Sequence, residues 1–176
     1  MGLKTGETIG DRVIKVDHAG EHGATCIYRA QRWVSRWRSP GLVPEIERFL
    51  EHEMRHRALF GSELKRRGQA RCRSYHLCGL GGLLLGFMTA LAGSQAIAAT
   101  TVAVEKVVLR HLAQQEVELS LSDPAAAALV RQIIEDERDH HDRADQQLDR
   151  RTAWAMIVEP IVAISTEAVI WLGMEL

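Results

Sequence analysis

The feature that most restricts this 176-residue chain is a doubled pattern of acidic and imidazole side chains. Glu53 stands 32 residues after Glu21, and His56 follows Glu53 by three. Glu137 stands 32 residues after Glu105, and His140 follows Glu137 by three. On a helix, positions i and i+3 lie on one face, one turn apart. Each Glu-x-x-His pair therefore converges on one point. Each half of the chain reads as a pair of helices carrying the same constellation.

The chemistry that suits such a set is two-metal chemistry. Carboxylates bind one metal or bridge two, and neutral imidazoles complete each shell. Four carboxylates offset two divalent ions, so the reduced site can be buried near neutrality. Two Glu-x-x-His helices plus a Glu from each of two others is the carboxylate arrangement of ferritin-like bundle cores. The expected ligands are Glu21, Glu53, His56, Glu105, Glu137 and His140. Iron and manganese both suit them. A single Glu-x-x-His is weak, since chance supplies about one in a chain this rich in Glu and His; the shared offset is the sharper signal. The plain alternative is a set of solvated helix charges.

A second motif competes. His52-Glu53-Met54-Arg55-His56 matches the zinc-peptidase pattern H-E-x-x-H. No strand pattern accompanies it, and Asp136 stands at the matching position of the second half. Ligating histidines usually hand their other N–H to a carboxylate or carbonyl, which nominates Asp136 or Asp17. His111 is expected near the site, six residues after Glu105. His141 points about 100° away from His140 and reads as surface.

The rest of the sequence fits an all-α fold: a ferritin-like four-helix bundle with additional apolar, membrane-associating helices, in one domain spanning 1–176. Aromatic residues are scarce at 5%, and there are four prolines. Helices are expected from about Asp11 to Arg38, from near Pro44 to Gly68, through Glu105 to about Leu121, from Pro124 to about Arg150, and from Ala153 to about Leu172. Ser122-Asp123-Pro124 reads as an N-cap with proline just inside the helix. A net charge of −1 gives no field that would draw nucleic acid. Three cysteines make no disulfide framework, so a reducing compartment is expected. Met1–Asp11 is polar and glycine-rich, without the apolar region of a secretory signal.

Residues 74–104 contain no Asp, Glu, Lys or Arg, and a basic patch (Lys65, Arg66, Arg67, Arg71, Arg73) precedes them. The stretch is long enough to cross a bilayer. A monotopic reading, with apolar surface dipping into one leaflet, is preferred, because the stretch must also deliver Glu105 to the core. A buried bundle helix is the bland alternative. The basic patch suits anionic headgroups, and Trp33, Trp37, Trp154 and Trp171 suit an interface. The run Arg29, Arg32, Arg36, Arg38 reads as a solvated face.

Asp11-Arg12-Val13-Ile14-Lys15-Val16-Asp17-His18-Ala19-Gly20-Glu21-His22-Gly23-Ala24 resembles the opening motif of the demethoxyubiquinone hydroxylases. Thr101-Val102-Ala103-Val104-Glu105, Glu137-Arg138-Asp139-His140-His141-Asp142 and the ending Trp171-Leu172-Gly173-Met174-Glu175-Leu176 are similar to later motifs of that family. The resemblance covers nearly the whole chain. It implies a di-iron monooxygenase of ubiquinone biosynthesis, with the same six residues as iron ligands. It implies a polyprenyl quinone substrate, an external reductant such as NADH, a membrane surface, a lipid-presenting partner protein and a homo-oligomer. It further implies a peripheral place on the cytoplasmic face of a bacterial inner membrane, or on the matrix side of the mitochondrial one. Two departures stand out: His22 follows the first Glu where the family often has Tyr, and His111-Leu112 replaces His-Tyr. A ferritin-like iron-storage protein would use the same ligands, but the uncharged stretch argues against its polar exterior.

Overall fold

The computed structural model describes residue 3 and residues 5–176; Met1, Gly2 and Lys4, part of the polar opening segment, lie outside the described residues. Six α-helices make up the fold: α1 (Ile9–Arg38), α2 (Val43–Arg66), α3 (Tyr75–Ala92), α4 (Ser94–Ser122), α5 (Pro124–Gln147) and α6 (Ala153–Glu175), with a 3-10 turn at Pro40–Leu42. No strand occurs among the described residues.

Local chemistry sets the boundaries. Thr8 and Asp11 form a reciprocal capping box that opens α1. Beyond the end of α2, Gly68 takes φ +64°, and the N–H groups of Gln69 and Gly68 donate to the carbonyls of Leu64 and Lys65. That is a Schellman close, which needs a residue at ease with positive φ. Asp123 caps α5 through the Ala126 N–H, with Pro124 in the first turn, as its sequence suggests. Thr152 caps α6.

The uncharged stretch proves to be two elements. Gly93, at φ +112°, breaks the helix between α3 and α4. Residues before the break form an outer apolar helix. Those after it, including Ala96, Ala99, Val102 and Ala103, are buried core at the start of α4. One half lacks charge because it is exposed and apolar, the other because it is buried.

Packing follows the internal repeat and enlarges it. α1 and α2 form one hairpin, α4 and α5 the other; α3 lies along α1, and α6 along α4. The repeating unit is therefore three helices, not the pair that the motif spacing suggests. The third helix of each unit carries no ligand-type motif, so nothing in that pattern revealed it. Gly82 and Gly86 let α3 sit against the backbone of α1: a Cβ at either would run into the carbonyl oxygen of Gly23 or Ile27. Apolar clusters close the bundle at both ends, one around Ile14, Phe60, Leu119 and Ile133, the other around Tyr28, Phe49, Leu50 and Ile97.

The outer helices turn their large side chains outward. α3 buries small residues (Cys78, Gly79, Gly82, Gly86, Ala90) and exposes Leu80, Leu84 and Met88. α6 buries only Ala155, Val162 and Gly173, and exposes Met156, Ile161, Ile164 and Trp171. Both are long and apolar enough to cross a membrane by length and composition. Of the basic patch, Arg66 and Arg67 are engaged within the protein. Arg66 pairs with Glu63, and Arg67 joins Glu63, Asp11 and Asp123, tying the end of α2 to the starts of α1 and α5.

Candidate metal centre

The four bundle helices bring all six expected ligands into one buried cluster. Glu21 comes from α1, Glu53 and His56 from α2, Glu105 from α4, and Glu137 and His140 from α5. None is more than 7% exposed. Their donor atoms fall into two groups, each with its atoms within 4.8 Å of one another: Glu21, Glu53, His56 and Glu137 in one, Glu53, Glu105, Glu137 and His140 in the other. Glu53 and Glu137 belong to both groups. That is the arrangement in which two carboxylates bridge two cations while each cation has one further carboxylate and one imidazole.

The inward-facing atoms fit a cation. His56 Nδ1 lies 2.8 Å from Glu137 Oε1, and His140 Nδ1 lies 3.2 Å from Glu53 Oε1. Yet these four atoms make no aligned hydrogen bond, although all are buried. Buried polar atoms are rarely left so. A metal that accepts their lone pairs resolves the deficit, and iron or manganese suits this oxygen-rich donor set.

Without a metal, protons balance the charge. Burial, reinforced by neighbouring Glu53 and Glu137, raises Glu21 and Glu105 well above the usual carboxylate range. Burial alone would also raise Glu137, but the adjacent His140 and His56 rings outweigh it and hold it low. Burial disfavours charge on those two rings, yet Glu137 and Glu53 together raise both.

The outer partners are equally specific. His56 Nε2 lies 2.9 Å from Asp136 Oδ2, and Arg55 holds that same oxygen at 2.6 Å. Asp17, the other carboxylate nominated from sequence, meets neither histidine. It accepts from Gln115 Nε2 at 3.0 Å, and burial pushes it up to about 7. His111 lies outside the cluster, 2.9 Å from Glu167 on α6. His141 stays apart, beside Asp142. His52 is not part of either ligand group. Its Nδ1 faces His140 Nε2 at 3.1 Å, which argues against the zinc-peptidase geometry. Sequence reasoning passed over Tyr28 and Gln115. Tyr28 stands seven residues after Glu21, two turns along the same face of α1, which is the signal that would have found it.

A cavity of about 270 Å³ ends on Glu21, Glu53, Glu105 and Glu137. Its walls come from α1 and α4, and from α3 (Leu77, Leu85) and α6 (Val169, Ile170). It thus reaches the carboxylates between the two helices that expose apolar side chains. Asp17, Gln115 and His111 supply polar groups along the way.

The sequence is similar to known proteins. The family model described as ubiquinone biosynthesis protein COQ7 matches residues 8–173. The chain is 32% identical over 168 residues to the NADPH-dependent 3-demethoxyubiquinone 3-hydroxylase, mitochondrial, of Mus musculus, covering 93% of this chain and 76% of that one. It is 34% identical over 151 residues to the 5-demethoxyubiquinone hydroxylase, mitochondrial, of Saccharomyces cerevisiae, covering 76% and 64%. It is 28% identical over 163 residues to the 3-demethoxyubiquinol 3-hydroxylase of Rhodospirillum rubrum, covering 93% and 76%.

Proposed function

This chain belongs to the COQ7 family of ubiquinone biosynthesis proteins, and from that premise we propose that it is an O₂-dependent di-iron monooxygenase acting on a membrane-borne quinone. Ring hydroxylation of a demethoxyubiquinone-type quinone is its activity, as in the relatives named for that reaction. Glu21, Glu53, His56, Glu105, Glu137 and His140 hold the two irons. One observation carries the reading: two ligand groups share Glu53 and Glu137 at the end of an apolar cavity that runs between two exposed apolar helices.

Iron held by these six residues would supply O₂ activation; in the net reaction one oxygen atom enters the ring and the other leaves as water, with electrons from an external donor such as NADH or NADPH. The protein's own residues arrange the rest. The small-residue face of α3 and the side chains of α6 admit a polyprenyl tail and exclude water. Asp17, held by Gln115, keeps an exchangeable proton in the cavity wall near neutral pH. Tyr28 donates to Glu105 and fixes its carboxylate.

The outward-facing leucines of α3 and isoleucines of α6 support a peripheral seat on a membrane, the place where a polyprenyl quinone resides. Iron storage is the weaker reading, because a storage cage needs a polar exterior. The test is iron-loaded protein on phospholipid vesicles carrying a demethoxy-quinone, supplied with reductant and ¹⁸O₂. One ¹⁸O atom in the hydroxylated product supports the proposal. Uptake of iron far beyond two per chain, with no hydroxylated product, supports storage instead.

A further inference from the structure

Positions 52 and 136 are equivalents in the internal repeat. Each stands one residue before a glutamate that belongs to both ligand groups, Glu53 or Glu137. The structure gives them matching places across the bundle. Asp136 on α5 faces His56 on α2, with Oδ2 2.9 Å from Nε2. His52 on α2 faces His140 on α5, with Nδ1 3.1 Å from Nε2. Both cluster histidines turn Nδ1 inward toward the carboxylates and Nε2 outward.

A histidine that gives its Nδ1 lone pair to a metal carries its proton on Nε2, and that N–H needs an acceptor. For His56 the acceptor is the Asp136 carboxylate. For His140 the atom in reach is His52 Nδ1, an acceptor when the His52 ring is neutral with its proton on Nε2. Asp136 Oδ1 lies 3.5 Å from the same His52 nitrogen, which has no proton to give it while it accepts from His140, so Asp136 serves His56 and His52 serves His140. Arg55 fixes that carboxylate from outside.

We propose that His52 is a positioning residue: it sets the tautomer and ring plane of His140 for one metal, as Asp136 does of His56 for the other. The inference rests on the two-metal reading of the six ligands. It also accounts for the H-E-x-x-H motif, whose first histidine supports a metal on the opposite helix instead of binding one itself.

The experiment is an anaerobic Co(II) titration of the full chain against a competing chelator. Wild type takes up two equivalents. His52→Leu, which cannot accept, weakens one equivalent by about 10- to 100-fold and leaves the other in place. His52→Asn, whose Oδ1 falls where Nδ1 stood, restores most of the loss. His52 has 20% of its side chain exposed, so these changes are tolerated by the fold; His52→Ala repeats the comparison if Leu is not. Two equivalents bound by His52→Leu with wild-type affinity would overturn the inference, and so would Asn as weak as Leu. Fewer than two equivalents in wild type would overturn the two-metal reading and this inference with it.

Discussion

The Tyr28 hydroxyl on α1 donates to Glu105 Oε1 on α4 at 2.9 Å, inside the bundle. The chain lacks tyrosine at positions 22 and 112, but it places a phenol on a cluster carboxylate from a third position. Leu112 instead packs into the apolar cluster with Phe60 and Leu119. Tyr28→Phe leaves a buried carboxylate oxygen short of one donor. We expect a stability loss of about 1–3 kcal/mol by denaturant titration of the metal-free protein, and a weaker second metal equivalent. Unchanged stability would show that Glu105 does not rely on this bond.

Metal binding must displace protons. Glu21 and Glu105 are raised by burial and neighbouring carboxylates, and His56 and His140 are raised by the glutamates they face. All four favour the protonated form more in the metal-free site than they would in water, whereas ligation needs them deprotonated. Affinity for Co(II) therefore rises with pH, and adding Co(II) in weak buffer acidifies it. A pH indicator reads this directly; metal uptake without acidification contradicts the assignment.

Asp17 gives a stability signature of its own. Its burial raises it from 3.8 to about 7, partly offset by Gln115. The folded chain thus keeps a proton that the unfolded chain has released, and the group's contribution to stability is lost as pH rises toward about 7. Asp17→Asn lacks this loss. Melting temperatures across pH 5 to 8 should show the variant gaining on wild type as pH increases. A constant difference would place Asp17 in a more solvated setting.

The contact of α3 with α1 depends on the absence of two side chains. Gly86→Val forces a branched side chain against the Ile27 backbone, and about 1–3 kcal/mol of stability should be lost. Gly81, next to Gly82 in sequence but facing open space, tolerates alanine. Equal effects of the two changes would contradict the close approach.

The buried cluster was legible because its chemistry forces a pattern. Six polar groups can be buried together only at fixed helical spacing, so the 32-residue offset of the glutamates and the three-residue step to each histidine picked out the side chains that the fold clusters. Helix ends with capping chemistry, such as Asp123-Pro124, were equally readable. The break at Gly93 was not, because one glycine in a run of small apolar residues carries no local stop signal until its φ is known. Nor were the roles of Asp17 and His52. Both depend on which helix crosses opposite which, and that is settled by tertiary packing. Arg66 and Arg67 read as a basic patch in sequence, since the acids that engage Arg67 on α1 and α5 are remote along the chain.

The most direct test of the central claim is iron per chain, measured by mass spectrometry of elements on anaerobically loaded wild type and on Glu137→Ala. Glu53 and Glu137 serve both ligand groups, whereas Glu21 serves one. The account predicts two irons per wild-type chain, loss of both in Glu137→Ala, and retention of about one in Glu21→Ala. A wild-type chain that binds a single ion, unaffected by the change at Glu137, would contradict it.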